Sequence, residues 1–126
     1  VVFSLFPGIQ ESIIRHVLDA PELRSIVMRS YGSGNAPQQP WLNKLLYQAA
    51  HRGVVIVNIS QCIAGSVEMS RYDTGYHLKK AGVISGIDST VEAAVTKLMF
   101  LQGKHNDSNI IRNMMCRSIA GEITIE

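Results

Sequence analysis

The sequence is poor in the residues that mark several common classes of protein. It has 126 residues with only two cysteines, 17% charged residues and 6% aromatic residues. Cys62 and Cys116 stand far apart, unlike the closely spaced cysteines of a small secreted domain, and this favours a reducing compartment. The longest apolar runs are much shorter than the ~18 to 20 residues needed to cross a membrane, and no signal-peptide pattern is present. The sequence therefore predicts a soluble chain without a disulfide framework or a membrane partner.

Charge and motifs exclude further classes of partner. Twelve Lys and Arg against ten Asp and Glu give a net charge of +2, and the basic residues form no run, so no nucleic-acid partner is predicted. The histidines are too widely spaced for a local ligand pair, so we expect no metal site. Gly32-x-Gly34 lacks the third glycine of a dinucleotide fingerprint, because Pro37 stands in its place. We therefore expect no cofactor, and a tight turn is the simpler explanation of these glycines.

What the chain does contain is enough apolar material for one core. Hydrophobic residues make up 46% of the sequence, and the length fits a single domain spanning residues 1–126. The first six residues form a β-prone run that does not begin with Met. We therefore interpret the chain as part of a longer polypeptide.

Short apolar runs alternate with amphipathic ones along the chain. The pattern predicts strands over residues 1–6, 25–29 and 54–57, and helices over residues 9–18 and 40–50. The run 54–57 is continuously β-branched or apolar, which is typical of a strand covered on both faces of a parallel sheet. Such alternation predicts an α/β fold, in which a small parallel sheet is flanked by helices on both faces in three α/β/α layers.

Local signals predict where the helices begin and end. Pro40 suits a first helical position, and a stripe follows it at i, i+3, i+4 and i+7: Leu42, Leu45, Leu46 and Ala49. Ser89 followed by Glu92 forms a capping-box pattern, and Gly103 offers a stop to that helix. Its predicted buried stripe is Val91, Ala94, Val95, Leu98 and Leu101. Residues 106–108 offer the cap of a last helix, whose predicted buried side is Ile110, Ile111, Met114 and Met115.

Ligands of parallel sheets bind outside the carboxyl ends of the strands, which directs attention to the residues after Met28 and Val57. Arg29 offers a planar fork that matches a carboxylate, although a surface salt bridge would also explain it. If the second and third strands are neighbours, Arg29 and Ser60-Gln61-Cys62 open onto one crevice suited to a small amino acid.

Cys62 has no recognisable base for nucleophilic catalysis, so a packing role is its alternative. Cys116, beside two methionines, is predicted to pack in the core.

Several spaced motifs in this order resemble the C-terminal domain of type I, cytoplasmic-type L-asparaginases. They are RSYGSGNAP at 29–37, GVVIVN at 53–58 with SQC at 60–62, GVISG at 82–86 with Asp88, Thr90, EAA at 92–94 and KL at 97–98, and GEIT at 121–124. The resemblance implies hydrolysis of L-asparagine to L-aspartate and ammonia by a cytoplasmic homodimer or homotetramer without a cofactor. It also implies that the catalytic threonines belong to an N-terminal catalytic domain that is absent here. The chain alone would then be inactive, with no catalytic residue of its own.

The resemblance further implies an effector site. In allosteric relatives, an arginine and a cysteine at the positions of Arg29 and Cys62 help to bind L-asparagine at a second site. Asn35 resembles a position that approaches the active site of a neighbouring subunit. Two other interpretations stay open: an independent amino-acid-binding module, and a lyase or amidotransferase subunit that shares this domain.

Overall fold

The computed structural model describes residues 1–6, 8–30, 39–60, 78–118, 121 and 123. These residues form four strands, four helices and a short helical stretch at 78–80. The strands are β1 (Val2–Ser4), β2 (Ser25–Ser30), β3 (Val55–Ser60) and β4 (Ile84–Ser85). The helices are α1 (Glu11–Leu18), α2 (Pro40–His51), α3 (Val91–Lys104) and α4 (Ser108–Met115).

The strands form one parallel sheet in the order β1-β2-β3-β4. Its two faces carry separate apolar clusters because successive strand residues point to opposite sides. Ile26, Met28 and Ile56 face the layer that contains α1 and α2. Val27 and Val57 face the layer formed by α3 and α4. The predicted three-layer α/β/α fold is confirmed.

The predicted helix α2 begins and packs as its sequence pattern indicates. Gln39 is its N-cap and Pro40 occupies the first helical position, where a missing N–H group costs nothing. All four predicted stripe residues are buried against the sheet: Leu42, Leu45, Leu46 and Ala49. Gly53 follows the helix with a φ of 96°, a conformation that glycine adopts without the strain of a side chain. The strand that follows is buried from Val55 to Ile59.

Helix α3 differs from its prediction at both ends. Its N-cap is Thr90, one residue after the predicted Ser89, and the Thr90 hydroxyl accepts a hydrogen bond of 3.1 Å from the Ala93 amide. Gly103 does not stop the helix, which continues to Lys104. Of the predicted stripe, Ala94, Leu98 and Leu101 are buried, while Val91 and Val95 are half-buried.

Helix α4 begins at its predicted cap but has a narrower buried face than expected. Asp107 is the N-cap, and its carboxylate accepts a hydrogen bond of 2.9 Å from the Asn109 amide. Ile111 and Met115 are buried and Met114 is half-buried, but Ile110 is 42% exposed. Cys116 is also exposed, so its predicted packing role is wrong. Among the described residues, no helix has the length and apolar character needed to span a bilayer.

Candidate functional site at the carboxyl edge of the sheet

The carboxyl ends of β2, β3 and β4 lie side by side at one edge of the sheet. Arg29 is in register with Ile59, and Ser30 is in register with Ser60. On the other side of β3, Asn58 is in register with Ser85. The second and third strands are therefore neighbours, which was the condition for a shared crevice. Arg29 and the end of β3 share the edge at which parallel sheets bind their ligands.

Arg29 is half-buried at this edge. Its backbone carbonyl accepts a hydrogen bond of 2.8 Å from the Leu5 amide, which ties it to the end of β1. Side chains two residues apart on a strand lie on the same face of the sheet, so Arg29 lies on the face of Val27 and opposite to Met28. Its side chain therefore projects toward the layer of α3 and α4. A guanidinium group held at the end of a rigid central strand presents a permanent, oriented positive charge. This placement suits the recognition of a carboxylate.

Two polar side chains are completely buried near the same edge, on the face of the sheet opposite to Arg29. Ser30, the last residue of β2, and Asn58, the fourth residue of β3, each have 0% exposure. The Ser30 hydroxyl donates a hydrogen bond of 3.2 Å to the Ile59 carbonyl oxygen, which links β2 to β3. Both residues fall in the segments that the sequence directed attention to, after Met28 and after Val57, but they lie within β2 and β3 rather than in loops, and their burial was not predicted.

A tight turn closes the edge after β4. The Gly86 amide donates a hydrogen bond of 2.8 Å to the Asn58 carbonyl oxygen. Ile87 follows with a φ of 58°, which is a strained value for a β-branched residue. The Ser85 hydroxyl accepts a hydrogen bond of 3.0 Å from the Ile87 amide and supports this conformation. The turn is thus anchored on β3 and on its own strand.

The other two residues proposed for the site lie outside the described residues. Cys62 falls within 61–77 and Asn35 within 31–38, so their roles stay predictions. The structure places the end of β2, which carries Arg29, next to the end of β3, which leads toward Cys62. Gln61 and Cys62 themselves lie outside the described residues.

Among the described residues, neither the metal-ligating side chains nor the threonines form a second candidate site. No group of three or more metal-ligating side chains occurs in that part of the chain. Thr90 caps α3, and the Thr96 hydroxyl donates a hydrogen bond of 2.7 Å to the Glu92 carbonyl within the same helix. Both described threonines therefore have ordinary helical partners. Thr74 and Thr124 lie outside the described residues.

A cleft of about 230 Å³ lies at the opposite, amino edge of the sheet and is lined by Tyr47, Ala50, His51, Lys80, Ala81, Gly82 and Arg112. Arg112 donates hydrogen bonds of 2.9 and 3.1 Å to the carbonyl oxygens of Ala50 and Val54. It thereby caps the end of α2 and holds it to the entry of β3. This cleft is built around a structural arginine rather than around the strand ends that carry Arg29.

Comparison with known proteins places this architecture in a family. The sequence model of the glutaminase/asparaginase C-terminal domain matches residues 1–115. L-asparaginase 1 of Escherichia coli (strain K12) is 43% identical over 123 residues, which cover 98% of this chain and 36% of that relative. The 60 kDa lysophospholipase of Mus musculus is 39% identical over 125 residues, which cover 98% of this chain and 22% of that protein. This chain thus spans about a third or less of the length of these relatives.

The same relationship holds in three dimensions. The crystal structure of L-asparaginase I from Vibrio cholerae superimposes with a TM-score of 0.93 at 40% identity, covering 98% of this chain and 37% of that one. The L-asparaginase from Thermococcus kodakarensis gives a TM-score of 0.90 at 36% identity, covering 99% of this chain and 38% of that one. Sequence and fold agree over nearly the whole chain, and the chain belongs to the glutaminase/asparaginase C-terminal domain family.

Proposed function

We propose that this chain is the C-terminal domain of an L-asparaginase that hydrolyses L-asparagine to L-aspartate and ammonia. The observation that carries the proposal is the agreement over 98% of the chain with L-asparaginases in both sequence and fold. In this proposal, the threonine nucleophile belongs to an N-terminal catalytic domain of the same polypeptide. The present chain then contributes no catalytic residue, and the reaction requires neither a metal nor another cofactor. The assembled enzyme is a cytoplasmic homodimer or homotetramer.

The proposed contribution of this chain is an effector site for L-asparagine at the carboxyl edge of the sheet. Arg29 pairs with the α-carboxylate of the amino acid, because its guanidinium fork matches a carboxylate with two parallel hydrogen bonds. Its half-buried position supports this role, since a partly desolvated ion pair is stronger than an exposed one. Cys62 is the proposed second contact. Asn35 is proposed to approach the active site of the neighbouring subunit.

The effector role is tested by titrating L-asparagine into the complete protein that contains this chain, with D-asparagine as the stereochemical control. Arg29→Ala should weaken binding at the effector site by ~30-fold or more, because a carboxylate loses its charged partner. The same substitution should remove the sigmoidal dependence of hydrolysis on L-asparagine. Arg24→Ala is the matched control, since Arg24 is an exposed arginine directly before the first residue of the same strand. Equal responses of the two variants would contradict an effector role for Arg29.

The catalytic part of the proposal has its own assay. Ammonia release by the complete protein is measured with L-asparagine and with L-glutamine. Fatty-acid release is measured with a lysophospholipid as the ester control. We expect release from L-asparagine to dominate. Preferential ester hydrolysis would instead favour the activity named for the mouse relative. Binding of L-asparagine without any hydrolysis by the complete protein would favour an independent amino-acid-binding module.

A further inference from the structure

The cleft at the amino edge of the sheet has a basic lining. Its volume is about 230 Å³, and Arg112, Lys80 and His51 contribute a guanidinium, an ammonium and an imidazole group to its walls. None of the described residues that line the cleft carries a carboxylate. Clefts lined by groups of one charge concentrate ions of the opposite charge. The lining therefore favours a negatively charged ligand.

Arg112 supplies a fixed positive charge in this cleft. It is half-buried, and it donates hydrogen bonds to the carbonyl oxygens of Ala50 and Val54 and to the side-chain oxygen of Asn109. All three acceptors are neutral, so they orient the guanidinium group without neutralising it. A guanidinium group carries five N–H donors, which these three bonds do not exhaust. Buried charges are usually paired, yet no described carboxylate forms a salt bridge with Arg112.

Capping of α2 accounts for only part of this arrangement. The carbonyl oxygen of Ala50 already accepts the Gly53 amide at 3.0 Å, so it has a backbone donor besides Arg112. The dipole of α2 also favours a cation at the end of the helix, and Arg112 meets that need. Neither effect accounts for Lys80, an exposed residue of the segment before β4 that lines the same cleft. Basic groups from three separate segments thus meet at one cleft.

The other lining residues leave room for a small ligand and offer further polar groups. Ala50, Ala81 and Gly82 have little or no side chain, so they leave the space between the basic groups open. Tyr47 stacks on His51 with ring centres 5.9 Å apart, and its hydroxyl group is an additional hydrogen-bond donor. The volume is below that of a typical site for a drug-sized ligand, about 300 to 1,000 Å³. The cleft therefore suits a small ion rather than a large cofactor.

We propose that this cleft binds a small oxyanion with two or more oxygen acceptors, a phosphate or a dicarboxylate, through Arg112, Lys80 and His51. Charge-assisted hydrogen bonds from guanidinium and ammonium groups to such oxygens are stronger than neutral ones. The cleft lies at the edge of the sheet opposite to Arg29. Binding here is therefore independent of the proposed effector site.

The test is calorimetric titration of inorganic phosphate and, separately, of succinate into the complete protein that contains this chain, at fixed pH and ionic strength. Lys80→Gln removes one lining charge at an exposed position, so the variant should fold. Lys79→Gln is the matched control, because Lys79 is adjacent and exposed but does not line the cleft. Arg112→Gln is less informative, since it also breaks the hydrogen bonds that join α4 to the end of α2 and to β3.

We expect at least one of the two anions to bind saturably, with a dissociation constant below ~10 mM. The tighter of the two identifies the ligand class as phosphate or dicarboxylate. Lys80→Gln should weaken binding by ~3- to 10-fold, and Lys79→Gln by less than ~2-fold. Arg29→Ala should leave this binding unchanged, which separates the cleft from the carboxyl edge.

Three outcomes would overturn the proposal. The first is the absence of saturable binding of either anion. The second is equal weakening by Lys80→Gln and Lys79→Gln, which would indicate attraction by net charge alone. The third is loss of binding in Arg29→Ala, which would place the anion at the opposite edge. Only this third outcome involves the proposed effector site, so failure of the cleft and failure of that site are distinguishable.

Discussion

The ammonium group of Lys97 donates a hydrogen bond of 3.0 Å to the carbonyl oxygen of Met115. It also donates to the carbonyl oxygen of Arg117. Lys97 is only 6% exposed, so a residue of α3 places a buried positive charge at the end of α4, where the helix dipole is negative. The two helices that cover one face of the sheet are joined by this contact as well as by apolar packing.

Replacing Lys97 by Met should destabilise the protein although the apolar length of the side chain is kept. The buried hydrogen bond to Met115 and the partly buried one to Arg117 would both be lost, and we expect a loss of ~1 to 3 kcal/mol in the free energy of unfolding. Urea unfolding measures this loss. Lys104→Met is the control on the same helix, because Lys104 is exposed. Its ammonium group lies over the Phe100 ring, 4.8 Å from the ring centre, and not against a buried carbonyl oxygen. Equal losses in both variants would argue against the buried contact as the cause.

Gly86 and Gly103 should respond in opposite directions to alanine. A Cβ atom at Gly86 would lie 2.5 Å from Ile59 Cγ2 and 3.1 Å from Val57 Cγ1, both on buried β-branched side chains that cannot rotate away. Gly86→Ala should therefore cost ~1 to 3 kcal/mol of stability. A Cβ atom at Gly103 meets nothing within 4 Å, and Gly103→Ala should stabilise the helix by up to ~1 kcal/mol. Thermal unfolding of both variants tests the contrast, and destabilisation by Gly103→Ala would contradict it.

Two adjacent residues of α3 separate core packing from surface exposure. Leu98 is 3% exposed and packs against the sheet, so Leu98→Ala should cost ~2 to 5 kcal/mol. Met99 is 68% exposed, and Met99→Ala should change stability by less than ~0.5 kcal/mol. Denaturant midpoints give both values. A large effect at Met99 would instead indicate that this surface is covered in the complete protein.

The position of the α3 cap is testable by single substitutions. Thr90→Ala removes the oxygen that accepts the Ala93 amide, and it should cost ~0.5 to 2 kcal/mol. Ser89→Ala should cost less, because the capping hydrogen bond comes from Thr90 and not from Ser89. The comparison is made by urea unfolding under identical conditions. The reverse order of losses would restore Ser89 as the cap.

Sequence patterns alone located the main elements correctly where one signal dominates. Pro40 and the stripe behind it define α2 because helix start and burial are both set by local spacing. Continuous β-branched character defines β3 because only a strand covered on both faces accommodates it. Where two local signals compete, the outcome differs. Ser89 and Thr90 offer equivalent hydroxyl groups, and hydrogen-bond geometry selected Thr90.

Only the tertiary structure decided the features of strands and side chains whose partners are distant in the chain. The two-residue strand β4 exists because it pairs with β3, and no local pattern is long enough to predict it. The burial of Ser30, Asn58 and Lys97 follows from neighbours brought together by the fold, since burial of a polar side chain depends on partners that periodicity does not encode. The sequence by itself determined the α/β class and the family motifs, because these rest on local spacing and residue type. The structure decided which strand ends meet at Arg29, because that depends on strand order.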